Sequence, residues 1–140
     1  MTYLLDTNIV SNLIRYGEES DVLTWIGMVG EKNVCTSIIV AAEISYGINK
    51  KGSQKLHAAA KRVLEFLPVL PFQDPAQEWY GLIRARLEAD GQVIGPNDML
   101  IAAHAKALKA VLVTDNVKEF ERISSLEVTN WLDLDPRERK

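Results

Sequence analysis

The sequence has little that would mark an exported or membrane-spanning protein. Its 140 residues include one cysteine, Cys35, so no disulfide can form within the chain, and this is typical of proteins that fold in a reducing compartment. No apolar run approaches the roughly 18 residues of a membrane span, and the amino terminus lacks a basic segment followed by an apolar run. We therefore expect a cytoplasmic protein without a membrane segment.

An excess of basic residues is also missing, as are several common catalytic motifs. The formal net charge of −3 argues against a module that holds nucleic acid mainly through its phosphates. There is no glycine-rich phosphate loop and no Gly-x-Ser-x-Gly stretch, which argues against nucleotide hydrolysis, redox cofactors and serine-hydrolase chemistry. Cys35, His57 and His104 stand apart from one another, whereas a zinc site needs them clustered.

Short apolar runs alternate with amphipathic stretches along the chain. This alternation predicts an α/β domain with a mostly parallel sheet, and 47% hydrophobic residues can supply its core. We predict a single domain over residues 1–133, followed by a charged tail at 134–140. The predicted strands are Tyr3–Leu5, Val34–Thr36 and Ala110–Thr114, with a weaker one at Leu126–Thr129.

Helix-capping residues separate the predicted helices from the strands. Thr7 or Asn8 is expected to cap the helix "NIVSNLIRYG", and Ser53 the helix "QKLHAAAKRVLEF". In "DPAQEWYGLIRARLEADG", Asp74 is the predicted cap and Pro75 the first helical residue.

Four acids stand out among the predicted elements: Asp6, Glu43, Asp98 and Asp115. Glu43 lies inside the predicted helix after the second strand, and Asp98 opens the helix before the third. Asp6 follows the first strand and Asp115 the third, and the carboxyl ends of parallel strands share one edge of a sheet, where ligands bind. Several carboxylates at one place, with no Lys or Arg adjacent in sequence, would repel one another. A hard divalent cation with oxygen ligands, Mg²⁺ or Mn²⁺, would relieve that repulsion.

Each acid also has an ordinary structural explanation. Asp6 fits an N-cap or Asx turn, Asp98 a helix-start acid that the helix dipole favours, and Asp115 a turn after a strand. Glu43 fits such an explanation less well because its neighbours in "IIVAAEISYG" are mostly apolar. Taken together, the four acids favour a metal site.

Four motifs in order, "LLDTNIV", "AAEISYG", "GPNDMLIAAHA" and "LVTDNVKEFERI", carry a family resemblance. From Tyr3 to the final "VTNW", the chain resembles the PIN-domain ribonuclease toxins of the VapC family, from type II toxin–antitoxin systems. The resemblance implies a PIN-like three-layer α/β/α sandwich with a mostly parallel central sheet. It also implies an endoribonuclease that depends on Mg²⁺ or Mn²⁺ and hydrolyses RNA through metal-activated water, with tRNA, including initiator tRNA, as a plausible substrate.

The resemblance also implies the catalytic and metal-binding residues. The family's acidic site corresponds to Asp6, Glu43 and Asp98. Asp6 and Asp98 would hold the cation, and Glu43 would complete its coordination or accept a proton from the attacking water. Many family members have a fourth acid in a Thr-x-Asp stretch, where this chain has Asn116 with Asp115 one residue earlier.

Three residues are therefore candidates for the fourth position of the site. They are Asp115, Asn116 and Glu119, of which we favour Asp115 as a catalytic residue. Four neutral residues are expected to orient the carboxylates or bound water: Thr7, Asn8, Thr114 and Asn116.

RNA contacts and protein partners complete the expectations. Arg84 and Arg86 in "LIRARLEADG" are candidate phosphate contacts, as are Lys106 and Lys109, although each also fits a solvated helix face. By resemblance, a VapB-type antitoxin covers the acidic site, and the chain forms a homodimer and toxin–antitoxin hetero-oligomers. The alternative function is a catalytically inactive PIN-like module whose acids bind a basic peptide.

Overall fold

The computed structural model describes residues 1–133, and the predicted charged tail at 134–140 lies outside the described residues. Five parallel strands form one sheet in the order β3-β2-β1-β4-β5. The strands are β1 (Tyr3–Leu5), β2 (Val34–Ser37), β3 (Val69–Leu70), β4 (Val111–Val113) and β5 (Val128–Thr129). The prediction of an α/β sandwich with a parallel central sheet is confirmed.

Helices flank this sheet on the described part of the chain. They are α1 (Thr7–Tyr16), α2 (Asp21–Val29), α3 (Ile38–Lys51), α4 (Gln54–Phe66), α5 (Ala76–Ala89), α6 (Pro96–Leu108) and α7 (Val117–Phe120). α1 packs against α3 and α4, and α5 packs along α6. No helix within residues 1–133 is long and apolar enough to cross a membrane.

The order in which the chain adds strands to the sheet reverses between β1 and β4. From β1 the chain builds β2 and β3 on one side, and it then returns to place β4 on the other side of β1. Leu5 of β1 pairs with Val113 of β4 at the carboxyl ends of the two strands. A crevice outside such a reversal point is where open α/β sheets bind ligands.

Two predicted helix caps are wrong. Asp6, rather than Thr7 or Asn8, caps α1, because its carboxylate accepts a hydrogen bond from the Thr7 N–H at 2.8 Å and Thr7 is already helical. α5 begins at Ala76 without a side-chain cap, so Asp74 does not cap it and Pro75 precedes its first helical residue. The Asp74 carboxylate accepts a hydrogen bond from the Gln77 side-chain amide instead of from the helix backbone.

The strand boundaries also differ from those predicted. β2 continues to Ser37, whereas β4 is confined to Val111–Val113 and β5 to Val128–Thr129. β3 was not predicted, because Val69–Leu70 is too short to show an alternating or apolar pattern. It lies at one edge of the sheet, away from the β1/β4 reversal point.

Candidate active site

Asp6 lies at the reversal point of the sheet. Its backbone N–H donates to the Val113 carbonyl at 2.9 Å, which places the residue directly beyond paired strands β1 and β4. The side chain is 4% exposed and accepts two hydrogen bonds, from the Thr7 N–H at 2.8 Å and from the Thr114 hydroxyl at 2.7 Å. Asp6 is thus both a helix cap and part of an acidic cluster, so its two explanations are compatible.

Glu43 reaches this cluster from α3. Ser37 caps α3 by accepting the Ile39 N–H at 3.0 Å, and the helix then carries Glu43 toward α1 and α6. One carboxylate oxygen accepts the Thr7 hydroxyl at 2.5 Å, and the other accepts the Asn97 side-chain amide at 3.4 Å. Glu43 is therefore held by residues of two other helices.

Asp98 is half-buried in the first turn of α6. Burial is the largest cause that raises the pKa of its carboxyl group from 3.8 to about 6. The negative charges of Asp6, Glu119 and Glu43 raise this pKa further, as does a hydrogen bond with Glu119. Asp98 therefore holds a proton more tightly than an ordinary aspartate, first because it is half-buried and then because other carboxylates surround it.

The pKa of Asp6 is also raised above its ordinary value. Burial is again the largest cause, and the charges of Glu43 and Asp115 add to it. The hydrogen bonds from Thr114 and Thr7 act in the opposite direction, since they stabilise the charged carboxylate. The contributions of neighbouring charges to these two pKa values, rather than the effect of burial, indicate that the predicted acids lie close enough to repel one another.

The three candidates for the fourth position occupy different places. Asp115 is exposed and accepts a hydrogen bond from the Asn8 side-chain amide at 2.8 Å. The backbone N–H of Asn116 donates to the Thr114 hydroxyl at 3.0 Å. Glu119, half-buried on α7, is the candidate that bonds to Asp98. The preference for Asp115 stays a prediction, with Glu119 as a fifth carboxylate of the cluster.

Asn97 is a polar neighbour of the cluster that the sequence alone does not single out. Its side chain donates to Glu43, so it links the beginning of α6 to α3. The available signal was its position directly before Asp98 in "GPND". That signal is weak, because Asn is also common at helix starts for capping alone.

Ion pairing does not neutralise the cluster. Within residues 1–133, the pairs are Arg84 with Glu88 at 3.1 Å and Arg86 with Asp90 at 3.6 Å, both along the exposed side of α5. Neither pair includes an acid of the cluster. The role of Arg84 and Arg86 in RNA binding stays a prediction.

The two lysine candidates lie away from the acids. The Lys106 ammonium group donates to the Ser125 carbonyl at 2.8 Å and lies 4.8 Å from the centre of the Trp79 ring. Lys106 and Lys109 line a cavity of about 370 Å³ together with Met1, at the edge of the sheet where the strands begin. They therefore do not contribute charge to the acidic site.

His104 is a packing residue and takes no part in the cluster. It is 2% exposed, and its Nδ1 lies 2.7 Å from the Ser37 hydroxyl that caps α3. Burial lowers the pKa of the imidazole, so the neutral form is favoured.

The donor set fits a divalent cation that keeps part of its water shell. No three carboxylate, imidazole or thiol groups within the described residues stand close enough to ligate one ion together. Mg²⁺ is usually held by one or two carboxylates plus waters and substrate phosphates, so it does not need three. The carboxylates of Asp6 and Asp98 repel each other, and a cation between them would remove that repulsion.

Comparisons with known proteins agree with this geometry. Residues 3–126 match the model of the PIN domain, and nucleases with this domain generally use divalent metal ions. Ribonuclease VapC2 of Rickettsia felis is 37% identical over 132 residues, which cover 94% of this chain and 98% of that protein. The tRNA(fMet)-specific endonuclease VapC of Shigella flexneri is 30% identical, with the same coverage of both chains.

A solved structure supports the same conclusion. The toxin fold in the crystal structure of VapBC2 from Rickettsia felis bound to a promoter DNA fragment has a TM-score of 0.85 and 36% identity to this chain. The match covers 94% of this chain and 99% of that one. The resemblance carried by the four motifs is confirmed, and the chain belongs to the PIN-domain family, among the VapC ribonucleases.

Proposed function

We propose that the chain is the toxin of a type II toxin–antitoxin system and cleaves RNA by metal-dependent hydrolysis. The observation that carries this proposal is the meeting of Asp6, Glu43 and Asp98 at the β1/β4 reversal point, without an ion-paired Lys or Arg among them in the described part of the chain. The family's ribonucleases supply the reaction class.

Mg²⁺ or Mn²⁺ is the proposed cofactor, held by Asp6 and Asp98. Such an ion would lower the pKa of bound water and stabilise negative charge on the scissile phosphate. The Thr114 hydroxyl and the Thr7 N–H bind the Asp6 carboxylate and keep its orientation. The Asp6 carboxylate is therefore already ordered before an ion binds.

Glu43 is the proposed base that accepts the proton of the attacking water. Its carboxylate is positioned by the Thr7 hydroxyl and the Asn97 amide, from helices α1 and α6. Each donor binds one carboxylate oxygen, and together they fix the carboxylate near Asp98. The oxygen that accepts from Asn97 does so over the longer distance of 3.4 Å. Of the candidates for the fourth position, Asp115 lies near Asp6, whereas Glu119 lies near Asp98.

Transfer RNA is the proposed substrate class. The Shigella flexneri relative is named a tRNA(fMet)-specific endonuclease, so initiator tRNA is the first substrate to test. The net charge of −3 suits recognition of one folded RNA by shape better than indiscriminate binding of polyanions. Arg84 and Arg86 on the exposed side of α5 are the proposed phosphate contacts.

A VapB-type antitoxin is the proposed partner, in a hetero-oligomer built on a toxin homodimer. The Rickettsia felis relative was solved as a VapBC2 complex on promoter DNA. The uncompensated carboxylates around Asp6 and Asp98 would attract a basic segment of such a partner. A basic side chain placed there would also block the cation.

The test compares the wild-type chain with Asp98→Asn and with the control Asp21→Asn. Both acids stand in the first turn of a helix, but Asp21, on α2, is exposed and does not belong to the cluster. Purified proteins are incubated with total tRNA in Mg²⁺, in Mn²⁺ or in EDTA, and new RNA 5′ ends are mapped. We expect cleavage by the wild type and Asp21→Asn in metal only, and none by Asp98→Asn.

Full activity of Asp98→Asn would refute the assignment of Asp98. Cleavage by none of the proteins in either metal would instead support the catalytically inactive binding module.

A further inference from the structure

Tyr46 presents an exposed aromatic ring close to the acidic cluster. The residue is 67% exposed, the highest value among the exposed aromatic residues of the described chain. The Lys50 ammonium group lies 5.8 Å from the centre of the Tyr46 ring, a cation–π arrangement that restrains the ring. An aromatic side chain held at the surface in this way is available to stack with a flat partner.

Tyr46 is a near neighbour of Glu43 on the surface of α3. Residues three apart in a helix are neighbours on its surface, so Tyr46 extends from the helix position next to that of Glu43, the residue that we propose as the base. Lys50 follows Glu43 by seven residues, or about 10 Å along the helix axis. The surface of α3 therefore carries an acid of the cluster, an aromatic ring and a cation in succession.

Gly47, the residue after Tyr46, has no side chain and leaves this part of the α3 surface bare, with its backbone accessible. It lies inside α3, where glycine weakens a helix relative to alanine. A Cβ added at Gly47 would meet nothing within 4 Å, so the fold of this chain gives no packing reason for glycine. An external group that approaches the helix closely would give one.

A groove is lined by Gly47, by one acid of the cluster, Glu43, and by two more basic residues. Its volume is about 250 Å³, and Glu43 and Thr7 line one part of it. Gly47, Lys51 and Arg15 line other parts. The groove thus has positive charge at the ends of α1 and α3, which suits the phosphates of a bound strand.

We propose that Tyr46 and Gly47 form a seat for one unpaired RNA base next to the cleaved bond, with Lys50 and Lys51 contacting phosphates of the same strand. Proteins that bind single-stranded RNA combine aromatic rings for stacking with basic residues along the backbone. The inference rests on the proposed ribonuclease function and assigns it a substrate subsite. It predicts a preference for a single-stranded loop at the cut.

Kinetics of tRNA cleavage in Mn²⁺ test the stacking contact. Tyr46→Ala should raise KM about 5- to 140-fold, the range expected for one stacked base, while kcat changes less than about twofold because the acids are intact. Tyr46→Phe should retain the wild-type KM, since stacking needs the ring and not the hydroxyl. Tyr16→Ala, at an exposed tyrosine 52% accessible at the end of α1, is the control.

Gly47→Ala tests the close approach, with Gly27→Ala as its control. Gly27 also lies inside a helix, α2, and a Cβ there would likewise meet nothing within 4 Å. Both substitutions should raise Tm, because alanine favours the helix. Only Gly47→Ala should raise KM, a combination that a merely structural role for Gly47 would not produce.

A binding assay separates failure of this inference from failure of the proposed function. A short single-stranded RNA containing 2-aminopurine is titrated with each protein in EDTA, and stacking on Tyr46 should quench its fluorescence. Quenching by the wild type and Tyr46→Phe but not by Tyr46→Ala supports the seat, even if no cleavage is found.

Equal quenching by Tyr46→Ala and the wild type, or an unchanged KM of Tyr46→Ala, overturns the seat while leaving the ribonuclease intact. A change in the sedimentation coefficient of Tyr46→Ala without a change in KM would overturn it too. That result would assign the ring to a contact between copies of the chain.

Discussion

Replacing Asp98 by asparagine should stabilise the metal-free protein while removing its activity. The carboxylate is half-buried among Asp6, Glu43 and Glu119, and these surroundings raise its pKa to about 6. The folded protein therefore pays a free-energy penalty whenever Asp98 is charged and no cation is bound. Asparagine has nearly the same shape without the charge.

The expected gain follows from the pKa. A change from 3.8 to about 6 is roughly two units, or about 3 kcal/mol if all of it acted on folding. Asp98 is only half-buried, so solvent screening reduces this to about 1–2 kcal/mol. Loss of a negative charge at the start of α6 costs about 0.3–1 kcal/mol. The net gain at pH 7 is therefore about 1 kcal/mol, or roughly 3–4 °C in Tm for a chain of this size.

The stability that Asp98→Asn gains over the metal-free wild type should increase with pH. Because the pKa of Asp98 is raised in the folded state, the folded protein binds more protons than the unfolded chain between about pH 4 and 6. The contribution of Asp98 should therefore lower the free energy of unfolding of the metal-free wild type as pH rises through this window. Asp98→Asn should lack that contribution, so its advantage should be absent at pH 4 and complete at pH 7.

Urea unfolding in EDTA at pH 4 and pH 7 measures both effects. Asp21→Asn controls for the helix dipole, because Asp21 also stands in the first turn of a helix but is exposed; it should lower stability slightly. Added Mg²⁺ or Mn²⁺ should stabilise the wild type more than Asp98→Asn. A variant less stable than the wild type at pH 7 in EDTA would show that burial and the neighbouring carboxylates do not disfavour the charge of Asp98 in the folded protein.

Three further substitutions test the surroundings of the site. Thr114→Val removes the hydroxyl that donates to buried Asp6 at 2.7 Å, and urea unfolding should show a loss of about 1–3 kcal/mol, whereas full stability would contradict the contact. Ser37→Ala removes both the α3 cap and the bond to His104, at an expected cost of about 1–3 kcal/mol in the same assay; a loss near zero would count against both bonds. Lys106→Ala should leave the rate of tRNA cleavage unchanged, since Lys106 binds Ser125 at the opposite edge of the sheet, and a large loss of rate would place RNA on that edge.

Much of the fold could be predicted from local patterns. The apolar strands before Asp6 and Asp115, and the serine and glycine signals at the ends of several helices, depend on neighbours in sequence. β3 escaped prediction because two residues carry no periodic signal, and they become a strand only by pairing with β2. The α1 cap was misassigned because Asp6, Thr7 and Asn8 are all good caps, and only the backbone angles decide among them.

The candidate site was predictable to a similar degree. Asp6 and Asp115 follow parallel strands, and any parallel sheet brings such residues to one edge. Glu43 and Asp98 could be singled out by composition and by motif, but their partners could not. Whether Asp115 or Glu119 faces Asp98 depends on how α7 packs after β4, and the sequence offers both acids.

The sequence by itself determined the alternation of strands and helices, the positions of the acids relative to those elements, and membership of the family. Only the tertiary structure decided which of these groups touch. The Thr114 hydroxyl meets Asp6 across 108 positions of sequence, and the Thr7 hydroxyl meets Glu43 across 36. Such contacts depend on the order of strands in the sheet and on helix packing, which burial across the whole chain settles and no local pattern encodes.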